Sequence, residues 1–442
     1  MQSMSRRGFL TQSSKAAAGV AAGLTILRER KSAFSANDEV NVGIVGINGR
    51  GKSHMSGMCG TDGVRVVALC DPDTRLFESR SKRIEDKQGH KPKCYADIRD
   101  LLANDDIDAI TVATCDHWHA LATIWGCQAG KDVYVEKPAS WSVFESIKMV
   151  EAARKYDRMV QVGTQSRSTP EVRNAIARLW AGEIGDVYMA RALCYKPRRS
   201  IGFKEIKDPP EGLEFDLWLG PAPKQPYHDN LVHYNWHWFW DFGTTDMGNQ
   251  GSHEMDIAMW GLGKTLPVKI HGVGGRFGYE DQAETPNTQV TTFEYEDGKL
   301  LVFEVRGHYT HDESGVKVGN MFYGSEGWMA KSDGYKGHFG RRGEVKEIEY
   351  EEGELPDVGG SGEGNNFSNW ISAVRSRQRQ DLNSEIRGGA LSAALCALGN
   401  VSCRLGRELR FDPDKMQVIG DDEANRYLTR EYREPFVVPE EV

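Results

Sequence analysis

The sequence predicts an α/β protein, with an N-terminal doubly wound parallel sheet followed by an α+β domain on a mainly antiparallel open sheet. Three observations predict it. The chain has 442 residues, more than one hydrophobic core normally serves, so two packed domains are expected. From Val40 onward short apolar runs alternate with helical patterns, the mark of βαβ units. From Val268 strand patterns follow one another without helices between them, which implies antiparallel pairing.

In the parallel half, strands are expected at Val40–Val45, Val64–Cys70, Ala109–Ala113, Val133–Glu136 and Val160–Gly163. Helices fall at Thr74–Gln88, His119–Ala129 and Ser142–Tyr156. After Thr164 the texture changes. A helix, Glu171–Trp180, leads to a strand near Val187–Tyr195 and then to a long irregular stretch rich in Pro, Trp and His. Thr288–Tyr295 and Lys299–Thr310 are joined through Asp297-Gly298, a good hairpin turn, and Gly324-Ser325-Glu326-Gly327 makes another. Glu351–Gly364, rich in Gly and acid, is a loop. Helices at Phe367–Arg377 and Glu385–Arg404 close the chain before a polar tail. The expected division is 1–37 signal and linker, 38–165 doubly wound domain, 166–410 α+β domain and 411–442 tail.

Apolar residues make up 39% and charged residues 27%, ordinary for a globular protein. A net charge of −9 argues against a nucleic-acid partner, whose phosphates need a basic surface. Eight cysteines without a CxxC pair indicate buried free thiols, not a zinc cluster or a disulfide framework. Ser5-Arg6-Arg7-Gly8-Phe9-Leu10 precedes an alanine-rich apolar run from Ala16 to Leu27, a layout that resembles a twin-arginine export signal. The run is short for a bilayer, so no stable membrane span is expected, and the mature protein belongs in the periplasm on this reading. Arg28-Glu29-Arg30-Lys31 interrupts the pattern, with cleavage expected near Ala33 to Ala36. The competing reading is a basic tail on a cytosolic enzyme.

Gly43-Ile44-Val45-Gly46-Ile47-Asn48-Gly49-Arg50-Gly51 stands between the first strand and a helix. Such a turn lets the backbone approach a pyrophosphate, and the helix N-terminus supplies N–H donors. Aligned on Gly46, the GxGxxG pattern has Asn48 at its middle glycine, a residue that tolerates left-handed geometry. Asp71 ends the second strand about 25 positions on, near the spacing of a ribose-binding acid. A carboxylate there favours NAD over NADP, with Arg75 as a group that could partly reverse the preference. Asp116-His117-Trp118-His119 and Glu136-Lys137-Pro138 each follow a strand, on the edge where open α/β sheets bind ligands.

The glycine turn, Asp71, the His119 segment and Glu136-Lys137-Pro138, in that order, resemble the Rossmann domain of the glucose-fructose oxidoreductase/inositol dehydrogenase (Gfo/Idh/MocA) family. The resemblance extends through Gln161-Val162-Gly163-Thr164-Gln165 and most of the second domain. It implies a nicotinamide held by Gly46, Asn48, Gly49, Arg50, Gly51, Asp71, His119, Glu136 and Gln165. It also implies Lys137 beside the nicotinamide and the substrate hydroxyl, oriented by Glu136 and Pro138. An ammonium at that point stabilises a developing alkoxide or relays its proton.

Tyr234 to Trp260 is the substrate candidate. Trp236, His237 and Trp238 suit a sugar ring, which has apolar faces and a polar rim. A helix from about Asp246 places Asp246, Asn249, His253, Asp256 and Trp260 on one face. The family often has an Asp four residues before the catalytic His, and on His253 that position is Asn249, which cannot act as a base. Asp246 could substitute, or Lys137 and His253 could move the proton themselves with Asn249 holding a hydroxyl. His117, His119, His233, His237, Asp241, Asp246 and His253 offer metal-ligand types without a ligand spacing, so no metal is expected. The expected activity is hydride transfer between a tightly bound NAD or NADP and a hydroxyl carbon of a sugar or polyol. Hydrolysis of a glycoside through transient oxidation is the alternative, and a non-catalytic carbohydrate-binding protein the second. A homo-oligomer is expected from the resemblance.

Overall fold

The structure, a computed structural model, describes residues 39–332, 338–340 and 355–442. The export-signal reading lies outside the described residues, as do residues 351–354 of the expected loop. Residues 355–364 are irregular, as expected.

The first sheet has six parallel strands: β1 (Val40–Val45), β2 (Val64–Cys70), β3 (Lys93–Tyr95), β4 (Ala109–Val112), β5 (Asp132–Val135) and β6 (Val160–Val162). Their order is β3-β2-β1-β4-β5-β6, the doubly wound arrangement expected. Helices α1 (Gly51–Cys59), α2 (Phe77–Gln88), α3 (Ile98–Leu102), α4 (Asp116–Gln128) and α5 (Val143–Lys155) cover its faces. Strands β4 and β5 are buried throughout, as a sheet covered on both sides requires. Two details depart from expectation. The edge strand β3 is only three residues and carries no apolar run to announce it. Helix α4 starts at Asp116, so His117 and His119 lie on its first turn.

The second sheet follows helix α6 (Pro170–Trp180). Its strands are β7 (Val187–Cys194), β8 (Lys269–Gly275), β9 (Thr288–Glu294), β10 (Leu300–Arg306), β11 (Val318–Gly324), β12 (Trp328–Ser332), β13 (His338–Gly340), β14 (Leu409–Asp412) and β15 (Gln417–Val418). The order is β13-β12-β11-β7-β10-β9-β8-β14-β15, and every pair is antiparallel except β7 with β10. The β9–β10 hairpin turns at Gly298, whose φ of +82° is the left-handed geometry that Asp-Gly supplies. Short helices α7 (Phe215–Leu219) and α8 (Thr245–Asn249) and the longer α9 (Gly251–Leu262) connect β7 to β8.

From Asn366 the chain returns to the first domain. Helix α10 (Asn366–Ser376) buries Trp370, Ile371 and Val374 in one cluster with Val40, Val42 and Ile44 of β1. Helix α11 (Ile386–Leu405) is shared, with Ile386 and Ala393 in the first domain's core and Leu395, Leu398 and Val401 in the second's. The expected polar tail is built into the fold. Strand β14 pairs with β8, a short helix α12 (Asp422–Arg426) follows, and Phe436, Val438 and Val442 pack beside Trp118. The short run Phe436-Val437-Val438 and the lone Val442, set among prolines and charges, show no period, which is why the sequence reads as tail there.

Candidate active site

The site forms at the carboxyl ends of the parallel strands, where the order reverses between β1 and β4. β1 ends at Val45 and the turn 46–50 leads directly into α1. Gly46 has a φ of +81°, and a Cβ there would lie 2.6 Å from the carbonyl oxygen of Ala113, so only glycine fits. Asn48, Gly49 and Arg50 line the cleft with it, whereas Gly51 sits inside the turn against the Gly46 carbonyl. From α2, Arg80 Nε donates to the Ile47 carbonyl at 3.1 Å and Nη2 to Asn48 Oδ1 at 3.3 Å, bracing the turn from behind.

Asp71 lines the cleft at the end of β2, but its carboxylate already serves the turn. Oδ2 accepts the Ile47 N–H and Oδ1 the Asp73 N–H, both at 2.9 Å. Burial pushes the carboxyl up to about 6, against the pull of those two N–H groups. Each oxygen has a second lone pair, which leaves acceptor capacity for a ribose. Arg75 is not at Asp71. Its guanidinium grips Asp73 with two bonds of 2.6 Å, and Asp73 also meets His233 at 2.9 Å.

Glu136 and Lys137 follow β5 and line the cleft. Glu136 Oε1 accepts from Arg50 Nε at 2.9 Å and meets His54 Nε2 at 3.0 Å, while Oε2 takes the Lys137 N–H at 3.3 Å. Burial opposes ionisation, yet the His54 and Arg50 partners hold this carboxyl well below its usual range. Lys137 Nζ donates to the main-chain carbonyl of Asn249, across the boundary between the two domains. His119 stands between two carbonyls, Pro138 at 2.7 Å and Thr114 at 3.2 Å, and so ties the β4 and β5 strand ends together.

The far wall comes from the second domain: Trp218, His233, Tyr234, Trp236, His237 and Asn249. Trp236 and His237 are stacked at 3.6 Å with planes 18° apart. Burial, reinforced by the Lys137 charge, pushes His237 down to about 3. The cleft they close is about 330 Å³. A turn that only glycine permits, a helix N-terminus opening on it and a carboxylate at the next strand end together fit a dinucleotide.

Several expected residues are elsewhere. Trp238 is outside the cleft lining, its ring 5.2 Å from the Arg198 guanidinium. Asp246 is buried and held by the same guanidinium in a bidentate ion pair at 2.8 and 2.5 Å, so it serves as the partner of Arg198 and not as a free relay carboxylate. Gln165 lies behind Glu136, 3.3 Å from both Glu136 Oε1 and the Tyr134 hydroxyl, and does not line the cleft. The expected continuous helix breaks at Gln250 between α8 and α9. Asp256, on α9, is taken by Arg167 at 2.7 and 2.9 Å. His253 is half-buried in the first turn of α9, outside the cleft lining, with Nδ1 unpartnered. Burial, with the Lys137 charge nearby, pushes it down to about 3. Of the candidate metal ligands, His117 faces the Trp218 carbonyl at 3.1 Å, and no three His, Cys, Asp or Glu groups converge among the described residues.

Two contributors escape the sequence reading. Trp218, on the five-residue α7, lies in a stretch without periodicity. His54 has a faint signal, since Gly51, His54, Met55 and Met58 form the buried face of α1 at helical spacing.

A glycine turn at the switch point of a doubly wound sheet, walled by a second domain on an open sheet, defines a two-domain dinucleotide-dependent oxidoreductase class. Residues 40–164 match the NAD-binding Rossmann fold of the Gfo/Idh/MocA oxidoreductases, and residues 201–438 match that family's C-terminal alpha/beta domain. The chain belongs to the Gfo/Idh/MocA family. A glycosyl hydrolase family 109 protein of Shewanella baltica (strain OS185) is 30% identical over 178 residues, 35% of this chain and 38% of that protein. The chain thus matches well under half the length of such curated relatives. The WlbA dehydrogenase from Bordetella pertussis, solved with NADH and UDP-GlcNAcA, superposes with a TM-score of 0.61 at 18% identity, covering 85% of this chain and 99% of that one. The aldose-aldose oxidoreductase from Caulobacter crescentus, solved with glycerol, gives 0.60 at 17%, covering 84% and 100%. At these identities the likeness is one of fold.

Proposed function

We propose that the chain is an NAD-dependent oxidoreductase that moves hydride between a retained nicotinamide and a hydroxyl carbon of a sugar or polyol. The observation that carries this is Lys137, which lines one cleft with the glycine turn and with Trp236 and His237, its ammonium bonded to the Asn249 carbonyl. The glycine turn and Asp71 would hold a nicotinamide dinucleotide in this cleft, which would supply a hydride acceptor and donor for the carbinol carbon. Lys137 would exchange its bond to the Asn249 carbonyl for the substrate oxygen, stabilising the alkoxide or passing its proton. His253 and His237, both neutral at ordinary pH, are poor proton acceptors and serve better as hydrogen-bonding groups. Asp71 supports NAD over NADP, since its carboxylate repels a 2′-phosphate. Export through the twin-arginine signal and a homo-oligomer through the open face of the second sheet belong to the same reading.

Denaturing purified protein and identifying the released nucleotide by mass spectrometry tests it. Stoichiometric NAD whose absorbance changes on adding carbohydrate is the expected result. A protein that holds no dinucleotide and takes up none overturns it. The similarity to family 109 glycosyl hydrolases favours one second reading, a redox-neutral glycosidase that oxidises, eliminates, adds water and reduces again. Aglycone release from an aryl glycoside without net nicotinamide reduction would distinguish it.

A further inference from the structure

The geometry points to His54 as a positioning residue that holds Glu136, and through it the main chain at Lys137, leaving Arg50 free to meet a cofactor phosphate. This rests on the oxidoreductase reading above. Glu136 occupies room that only a glycine leaves, since a Cβ at Gly163 would lie 2.6 Å from Oε2. Its Oε1 is bonded by Arg50 at 2.9 Å, His54 at 3.0 Å and Gln165 at 3.3 Å, and Oε2 accepts the Lys137 N–H. One carboxylate therefore joins α1, the segment after β6 and the residue that bears the ammonium.

The two basic partners differ in what they can do. Arg50 lines the cleft and its side chain is 44% exposed. A phosphate in the turn would compete for the same guanidinium. His54 is fully buried, edge-on to Tyr134 and to Phe367 with centroids at 5.2 Å in both cases. It has nowhere to go. Its Nδ1 has no partner, which puts the single proton on Nε2 facing Glu136, because an unpartnered lone pair is cheaper than an unpartnered N–H. The His54 N–H thus satisfies Glu136 Oε1 whichever way Arg50 turns. Without it, a departing Arg50 leaves a buried carboxylate with Gln165 alone on that oxygen, free to swing toward the Lys137 ammonium.

The test compares wild type, His54→Leu and His54→Gln, whose amide N–H can stand where Nε2 does. NAD affinity is read from tryptophan quenching after the retained nucleotide has been removed, and turnover from NAD reduction by glucose, galactose, N-acetylglucosamine, glucuronate and myo-inositol. Loss of one hydrogen bond to a charged group should lower kcat about tenfold to a hundredfold in His54→Leu. Sugar KM should barely change, NAD affinity should fall, and His54→Gln should recover most of kcat. An unchanged kcat in His54→Leu overturns the inference. So does a parallel loss of kcat and thermal midpoint in both variants, which makes His54 a packing residue. A wild type that binds no NAD, or whose NAD no sugar reduces, fails before any variant is compared and removes the oxidoreductase reading together with the inference.

Discussion

Asp71 makes NAD affinity a function of pH in a range where few carboxylates titrate. A ribose hydroxyl donates to the ionised carboxylate, whereas a protonated one has lost an acceptor site. With the carboxyl pushed up to about 6, roughly a tenth is ionised at pH 5 and nine-tenths at pH 7, so affinity should weaken about tenfold on going down. Stability runs the other way. The folded carboxyl holds its proton to about pH 6 and the unfolded one only to its ordinary 3.8. The native state therefore binds more protons across that window, and this contribution, on the order of 3 kcal/mol, is full below it and lost as pH rises through 6. Tryptophan quenching by NAD from pH 5 to 7.5 at constant ionic strength measures the affinity, and thermal shifts on adding NAD should grow with pH. Asp71→Asn removes the titrating group and should flatten the curve. A wild-type affinity independent of pH, or an Asn variant that keeps the slope, would refute the assignment of Asp71 to the ribose.

Lys137→Met should lower sugar-dependent NAD reduction by roughly 10²–10⁴-fold while NAD still quenches fluorescence; stopped-flow reduction of bound cofactor separates the two. Arg198→Leu leaves Asp246 buried without its guanidinium and should cost roughly 3–5 kcal/mol, seen as an early urea midpoint that an added Asp246→Asn partly restores. Gly46→Ala forces a methyl group to 2.6 Å from the Ala113 carbonyl at a φ of +81°. Equilibrium dialysis should find NAD binding abolished.

The parallel sheet was legible because strands buried on both faces carry apolar runs, as β1, β2, β4 and β5 do, and because β6 keeps two valines around Gln161. The glycine turn, Asp71 and Lys137 were legible because chemistry at strand ends follows from the sheet's topology. What failed did so where a side chain's partner lies far along the chain. Asp246 looked like a spare relay acid at helical spacing, but Arg198, 48 positions away, claims it. Trp238 faces the same guanidinium. Gln165 followed the right strand yet points at Glu136 and not at the cleft. No pattern within the segment Tyr234 to Trp260 distinguishes Trp236, which faces the cleft, from Trp238, which does not.

Asn249 shows how a departure from the family pattern can be tolerated. Lys137 Nζ bonds to the main-chain carbonyl of this residue, a contact that any side chain permits. The side-chain Nδ2 lies 3.4 Å from Asp246 Oδ1, so the amide donates weakly where a carboxylate would repel. Two unit charges at that separation repel by about 5 kcal/mol at an effective dielectric constant of ~20, and by about 1 kcal/mol in water. Asn249 is half-buried, so a value between the two applies. Asn249→Asp should therefore destabilise the fold at pH 8 and much less at pH 5, where the new carboxyl can keep its proton. Asn249→Ala, which loses only the weak contact, should show little of either. Urea midpoints of the three proteins at both pH values decide it. If Asn249→Asp is as stable as wild type at pH 8 and turns over faster, then Asp246 is not fixed by Arg198, and position 249 is a place for a relay carboxylate after all.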